Sequence, residues 1–246
     1  TLQGISAGES VITTNFQFTA GKYIRLRKCG AGTWRLTGNN TFAGNSNYAH
    51  HVECLGGTLI ADYTNDVAGA GSNRVFLADR TLDFSTGRLL IRGKTGAGNT
   101  TWQAFGTNTV ENNSLNVLAV DGNGGDGTTV TLGNLYIPND YAFFRMEKSG
   151  IAAVYATNVI PPDAGTVRTV NGMLMSYSGA RANLLIKDPD GRVGFAAQNP
   201  ALSFVRHTNT LALTADNASV TDHVSLASDL TRTAALNFST LSIDAS

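Results

Sequence analysis

The sequence predicts an all-β protein, and within that class a parallel β-helix (β-solenoid) that forms a single domain over residues 1–246. Helix surfaces are usually rich in Glu and Lys, yet these residues occur only four and five times here. Apolar and polar residues alternate in short runs that Gly, Asn and Asp separate. Similar runs return at a near-constant interval along the chain. Together these observations favour stacked strands over helices.

The alternating runs define the predicted strands in chain order. Each is short and rich in β-branched and aromatic residues. They are YIRLRK, TWRLTG, GTLIADY, TLDFSTGRLLIRG, NVLAVDG, TVTLGNLYI, TLALTAD and TLSIDAS. The segment with the strongest helical character, TNDVAGAGSNRVFLADR, is interrupted by Gly69 and Gly71. A looser, loop-rich region is predicted at about 155–200.

The interval between the runs indicates how the strands stack. Leu36, Leu59, Leu82 and Phe105 follow one another at intervals of 23 residues. Repeats of about 20 to 25 residues, built from short strands and glycine turns, are typical of solenoids. We therefore predict rungs of about 23 residues. The alternative is a β-sandwich, in which strands recur about every 8 to 12 residues.

The two cysteines, Cys29 and Cys54, are 25 residues apart, close to the same interval. Residues one period apart in a solenoid lie above one another, about 4.8 Å away. This spacing would permit a disulfide between them, and two reduced thiols are the alternative. A catalytic pair of Cys54 and His51 is conceivable, but the neighbouring glycines and the period favour a structural thiol or disulfide.

One segment resembles a known family. Residues 28–44 read KCGAGTWRLTGNNTFAG, and Val52 and the sequence GGTL at 56–59 follow. The autotransporter-associated β-strand repeat reads Lys, G-x-G-T, a hydrophobic residue, x-L-x-G-x-N-T, an aromatic residue and x-G, and then a Val and G-G-T-L after a short link. The link is longer here, since NSNYAHH occupies 45–51. The resemblance implies a right-handed parallel β-helix that belongs to a secreted, bacterial, extracellular or cell-surface protein.

Alternation within the same segment predicts which side chains fill the coil. Trp34, Leu36 and Leu59 are expected to point inward, and Arg35 and Thr37 outward. Each large apolar side chain that is buried contributes roughly 1.5–3 kcal/mol. Stability is therefore expected to be spread along the coil.

The overall charge narrows the classes of partner. The chain has 18 basic and 18 acidic residues and a formal net charge of zero. A nucleic-acid-binding protein usually has a basic face, so we predict no nucleic-acid partner. No run of 18 or more apolar residues occurs, so we predict no membrane span.

A glycine-rich turn is the candidate metal site. DGNGGDG, residues 121–127, contains Asp121, Asn123 and Asp126, whose oxygens could bind calcium while the glycines allow the bend. The turn lacks the downstream Glu of an EF-hand, and a flexible turn without an ion is the alternative. No other cofactor is expected. DPDGR, residues 188–192, is predicted to be a turn.

The lengthened link contains the candidate contact residues Tyr48, His50 and His51. The histidines lie near Glu53 and Asp62 in sequence, as a metal or acid–base site would need. Adjacent residues of an extended chain point to opposite faces, however, so we favour a solvated loop that contacts a ligand. Tyr141, Phe143, Phe144 and Tyr177 are further aromatic candidates for carbohydrate contact. Most aromatic residues of a β protein lie in the core, so of the aromatic candidates only Tyr48 is expected to be exposed.

Sequence analysis predicts a protein that is not an enzyme. The four glutamates are scattered along the chain, whereas glycan cleavage needs clustered carboxylates. The expected function is structural or adhesive, with self-association through the solenoid ends in a head-to-tail surface fibre, sheath or layer, or continuation within a longer chain. A glycan or a cell-surface ligand is a further expected partner. The alternative is a glycan-binding or glycan-cleaving β-helix, such as a polysaccharide lyase or a phage tailspike-like depolymerase.

Overall fold

The computed structural model shows an all-β solenoid, in which no helix occurs among the described residues. The structure describes residues 1–5, 7–15, 25–38, 51–66, 75–76, 80–111, 114–138, 141–160, 169–170, 173–174 and 183–208, and the strand residues 211–212, 223–226 and 240–243. Tyr48, His50 and Tyr177 lie outside these ranges.

Each rung of the coil contributes one strand to each of two parallel sheets. In chain order the rungs are β1 (Leu2–Gln3) with β2 (Glu9–Ile12), β3 (Arg25–Cys29) with β4 (Thr33–Leu36), β5 (His51–Cys54) with β6 (Thr58–Asp62), β7 (Thr81–Phe84) with β8 (Arg88–Arg92), β9 (Gly96–Val110) with β10 (Leu115–Asp121), and β11 (Gly125–Tyr136) with β12 (Phe143–Ser149). Of these twelve strands, the six odd-numbered ones form sheet A together with β13 (Ala152–Ile160). The six even-numbered ones belong to sheet B.

Sheet B changes from parallel to antiparallel pairing beyond β12. The strands in this part are β14 (Thr169–Val170), β15 (Met173–Leu174), β16 (Leu184–Lys187), β17 (Val193–Gln198) and β18 (Phe204–Arg206). Only β16 continues the parallel stack, and β17 pairs with it in the antiparallel direction. A third, three-stranded parallel sheet contains β19 (Leu211–Ala212), β20 (His223–Leu226) and β21 (Thr240–Ile243). Much of the antiparallel part falls in the region predicted to be looser.

Sheet A ends at β13, and a turn partly covers the edge of that strand. The backbone N–H of Ala156 donates to the carbonyl of Leu202 at 3.2 Å, and Tyr155 forms an antiparallel bridge with Ser203. The side-chain amide of Gln198 donates to the Ala156 carbonyl at 2.6 Å. Unpaired strand edges invite association with other chains, so this turn protects one end of sheet A.

The strand pairing confirms the solenoid, with an interval longer than the predicted 23 residues. Rungs are about 27 residues apart. Lys28 aligns with Cys54, 26 positions on, and Cys54 aligns with Phe84, 30 positions on. The interval varies because the links between strands differ in length. Leu36 and Leu59 therefore do not stack on each other.

The interior of the coil is filled by the inward residues of both sheets. Leu36 and Leu59 are fully buried, as predicted, and Trp34 is partly buried against the same core. Phe84 of sheet A packs against Phe144 of sheet B, with ring centroids 5.3 Å apart and the rings tilted by 55°. Such a tilted arrangement is favoured by aromatic pairs. The two sheets therefore share one apolar core.

A buried lysine holds one corner of the coil. The Lys28 side chain is fully buried. Its ammonium donates to the backbone carbonyls of Cys29, Gly30 and Gly56 at 2.8, 2.7 and 3.0 Å. Burial lowers the pKa of Lys28, because the charged form loses its water. The three carbonyls compensate for that loss and tie two successive corners together.

The same corner requires glycine at position 57. Gly57 has φ +60°, and a Cβ there would lie 2.4 Å from the Gly30 carbonyl oxygen and 2.5 Å from that of Gly32. A side chain is therefore excluded both by the backbone conformation and by the neighbouring rung. The GG pair of the GGTL motif has a steric reason in this fold.

Neighbouring leucines of β8 test the inward and outward assignment. Leu89 is fully buried in the core, whereas Leu90 lies on the outer face and is half-buried. We predict that Leu89→Ala lowers the free energy of unfolding by about 2–5 kcal/mol and that Leu90→Ala lowers it by less than about 1.5 kcal/mol. Urea denaturation of both variants measures the difference. Equal losses would contradict the assignment.

Candidate functional site

Register pairing places the outer side chains of sheet A in columns that cross the strands. Arg27 aligns with Glu53, Glu53 with Asp83, and Asp83 with Thr109. A second column begins two residues earlier, where Arg25 aligns with His51. Because alternate residues of a strand share a face, both columns lie on the outer surface. Side chains far apart in sequence therefore become neighbours.

These columns line an open groove, here called the sheet A groove. Its volume is about 560 Å³, and it crosses β3, β5, β7 and β9. Most of its lining side chains are charged or carry a hydroxyl group. The lining residues are Arg25, Arg27, His51, Glu53, Leu55, Thr81, Asp83, Ser85, Thr107, Thr109 and Glu111.

Two arginines clamp the central carboxylate of the groove. Arg25 Nη1 lies 3.2 Å from Glu53 Oε1, and Arg27 Nε lies 2.5 Å from Glu53 Oε2. The Glu53 side chain is only 7% exposed, because the two guanidinium groups cover it. Each carboxylate oxygen lies against one guanidinium group, so the Glu53 side chain is held in one orientation.

His51 and Asp83 form the second charged contact of the groove. His51 Nδ1 lies 2.5 Å from Asp83 Oδ2, across two adjacent strands. His51 was predicted to lie in a solvated loop, but the structure places it at the start of β5 with its side chain 19% exposed, because it pairs in register with Arg25 and Thr81. Asp62, its neighbour in sequence, lies on sheet B instead and binds Arg35 and Thr64. Asp83 was missed because it is 32 residues from His51, and only the register brings the two together.

One group of side chains has the composition of a metal site. Ligand atoms of His51, Glu53 and Asp83 all lie within 4.8 Å of one another. A cation bound by all three would have to displace Arg25 or Arg27 from Glu53 and would lie beside their positive charges. The arrangement is therefore better suited to hydrogen bonding than to metal coordination.

The calcium candidates hydrogen bond to different parts of the coil. Asp121 Oδ1 accepts from the Asn123 backbone N–H and from Ser149 Oγ. The Asn123 side-chain amide donates to Thr64 Oγ1 at 2.9 Å and to the carbonyl of Gly93 at 2.8 Å. Asp126 Oδ2 accepts from the backbone N–H of Gly98. In this arrangement the turn connects neighbouring rungs through its own polar groups.

The two cysteines are free thiols in the structure. Cys54 aligns with Lys28 rather than with Cys29, and this offset of one residue turns the two thiols toward opposite faces of sheet A. The disulfide is therefore not formed in this register. Burial raises the pKa of Cys54 to about 12. His51 lies on the outer face, three positions away, so the structure does not bring it together with Cys54 as a catalytic pair.

The aromatic candidates divide between surface and core. Tyr141 and Phe143 are 54% and 40% exposed, whereas Phe144 is fully buried against Phe84. Trp102 was missed, although it is 48% exposed on the outer face of sheet A. Trp102 and Phe105 are three positions apart in TTWQAF, so simple alternation along β9 places them on opposite faces. DPDGR is a turn, as predicted, since Gly191 N–H donates to the Asp188 carbonyl.

Ion pairs also cover the outer face of sheet B; most join different rungs, and Arg145–Glu147 lies within β12. Asp62 Oδ2 lies 3.0 Å from Arg35 Nη1, and Glu147 contacts both Arg88 and Arg145. Burial raises the pKa of each carboxyl, but hydrogen bonds from Thr64 and Arg35 outweigh it for Asp62, and the two arginines outweigh it for Glu147. The net result is a lowered pKa for both. The carboxylates therefore stabilise the folded state as anions.

No protein-family model matches the chain, and neither a curated protein nor a solved structure is detectably similar to it. Within the part of the chain that the structure describes, no helix is long and apolar enough to cross a bilayer.

The thiols provide a test of register. We predict that a disulfide reagent at pH 8 labels Cys29 in the native protein but not Cys54, whose pKa is raised to about 12 by burial. After denaturation without reductant, both thiols should react. Peptide mapping of the labelled protein distinguishes the sites. Two unreactive cysteines after denaturation would show a disulfide and contradict this register.

Acid unfolding tests the ion pairs of sheet B. The folded pKa values of Asp62 and Glu147 are lowered, so their stabilisation is present above the ordinary values of 3.8 and 4.5 and is lost as pH falls through the folded values. We predict that Glu147→Gln lowers the free energy of unfolding by about 1 kcal/mol at pH 7. The difference between the two proteins should narrow as pH falls below about 4.5. A difference that is independent of pH would contradict the role of this carboxylate.

Proposed function

We propose that the chain is a non-catalytic structural and adhesive β-solenoid of an extracellular or cell-surface bacterial protein. The observation that carries this proposal is the use of carboxylates in cross-rung ion pairs. Asp188 shows the same use, since it lies 2.9 Å from Lys148 Nζ and 3.3 Å from Arg206 Nε. Glu53, Asp62, Glu147 and Asp188 are thus engaged in contacts between strands.

The chemistry of glycan cleavage explains why this observation matters. Cleavage by paired carboxyl groups requires one to donate a proton and another to act as a base or nucleophile. Glu53, Asp62 and Glu147 each contact two cationic side chains. Such contacts fix all three carboxyl groups in position, and they lower the pKa of Asp62 and Glu147. These three groups are therefore better suited to holding rungs together than to proton transfer.

The proposed location is supported by the resemblance of residues 28–44 and 56–59 to the autotransporter-associated repeat. The described part of this segment has the geometry that the repeat implies: Leu36 and Leu59 lie in the core, and Gly57 forms a tight corner. A stiff coil with its polar side chains outside suits display at a cell surface.

Self-association through a coil end belongs to the same proposal. Among the described strands, β1 pairs only with β3, and β2 only with β4. The other edge of this rung can accept a further rung, from the same polypeptide or from another copy. The turn over β13 makes the opposite end of sheet A less open.

A glycan-active β-helix is the second candidate function. The sheet A groove favours it, because Glu53, Asp83 and Glu111 lie on one face together with His51. Glu111 makes no ion pair among the described residues, and the Asp83 carboxylate contacts the imidazole of His51. These side chains are those that a hydrolase or lyase in this groove would use.

Two measurements test the proposed function. Incubation with soluble neutral and anionic polysaccharides should release no new reducing ends and no unsaturated products. Sedimentation velocity over a wide concentration range should show reversible self-association. Product release that is abolished by His51→Ala would contradict the non-catalytic function and support the glycan-active β-helix. A protein that stays monomeric at every concentration would contradict the proposed self-association.

A further inference from the structure

We propose that the sheet A groove binds a neutral carbohydrate chain that lies across strands β3, β5, β7 and β9. This inference rests on the proposed adhesive function and adds to it a site and a class of ligand. It uses the groove for binding alone, without cleavage.

The shape of the groove suits an elongated ligand. Its lining residues come from four adjacent strands of sheet A. With about 4.8 Å between strands, three intervals span roughly 14 Å. The volume of about 560 Å³ is within the range of small-molecule sites. Because the groove is open to solvent and runs across the strands, a chain of a few sugar rings fits it better than a compact ligand.

The lining offers both hydrogen-bond donors and acceptors. Hydroxyl groups are supplied by Ser85, Thr81, Thr107 and Thr109, and each can both donate and accept a hydrogen bond. Planar charged groups lie beside them in the Arg27–Glu53 and His51–Asp83 contacts. Adjacent hydroxyls of a sugar ring match this pattern, because each of them also donates and accepts.

The charged groups of the groove are already fixed by one another. Glu53 holds Arg25 and Arg27, and Asp83 holds His51. Side chains that are ordered before binding lose less conformational entropy when a ligand arrives. The ion pairs therefore prepare a polar surface for hydrogen bonding, in addition to stabilising the rungs.

The pairing of charges in the groove favours a neutral ligand. Three carboxylates (Glu53, Asp83 and Glu111) face two arginines, and both arginines are bound to Glu53. A polyanion would have to compete with Glu53 for the guanidinium groups, and a metal ion or polycation would have to displace those groups from Glu53. A neutral polyol can hydrogen bond to the paired groups without breaking them. Hydroxyl-rich, uncharged glycans are the class that fits.

Native affinity electrophoresis tests this inference on the full chain. The gels contain laminarin, mannan or dextran as neutral probes, alginate as the anionic probe, or no polymer. Thr109→Trp fills the groove and leaves its ion pairs in place. Thr129→Trp is the matched control, since Thr129 is also a half-buried threonine of sheet A, aligned with Trp102 and outside the groove lining. Thermal unfolding confirms that both variants fold.

We expect at least one neutral polymer to retard the wild-type protein. Thr109→Trp should weaken the apparent affinity for that polymer about tenfold or more, and Thr129→Trp should leave it within about twofold. Retardation by alginate alone, equal retardation of Thr109→Trp and wild type, or no retardation by any neutral polymer would overturn the inference. Any of these results would leave the proposed non-catalytic structural function unaffected. Conversely, polymer binding accompanied by product release would contradict that function and support the groove as the binding site.

Discussion

Parallel, in-register stacking of short strands is the constraint on which the rest of this structure depends. Once a strand aligns with the strand one rung away, every side chain joins a column that is either inside or outside the coil. A shift by one residue would exchange the two faces along the whole strand. The Lys28–Cys54–Phe84 column shows the effect, since three different residue types share the interior solely because of register.

The interior columns and the outer columns of side chains contribute differently to the structure. Interior columns exclude water, and where Lys28 enters the core its ammonium is satisfied by three carbonyls. Outer columns carry charges that pair across rungs, as Glu53 does with Arg25 and Arg27. The outer pairs need little apolar support, so their identity can vary without loss of the fold. Binding properties are therefore expected to reside on the outer faces of the sheets.

Sequence reasoning reached the fold class but only part of the site. Alternation identified the strands and the inward Leu36 and Leu59, because it is a property of neighbouring residues. The register depends on the lengths of the links, which vary, so the contact between His51 and Asp83 could not be predicted. Trp102 was overlooked for a different reason: aromatic residues of β proteins are usually in the core, although alternation from Phe105 would have placed it outside. His51 was expected in a solvated loop, whereas the structure places it in β5.

A cross-linking measurement tests the register most directly. In a Cys29→Ser background, Thr129→Cys combined with Ala153→Cys joins register partners on β11 and β13. We predict a disulfide by mass spectrometry after mild oxidation, since directly opposed residues lie within the required Cα separation of about 4.4–6.8 Å. Thr129→Cys with Asn158→Cys, about 16 Å further along the strand, should remain reduced. Equal cross-linking of both pairs, or of the second pair alone, would contradict the in-register solenoid.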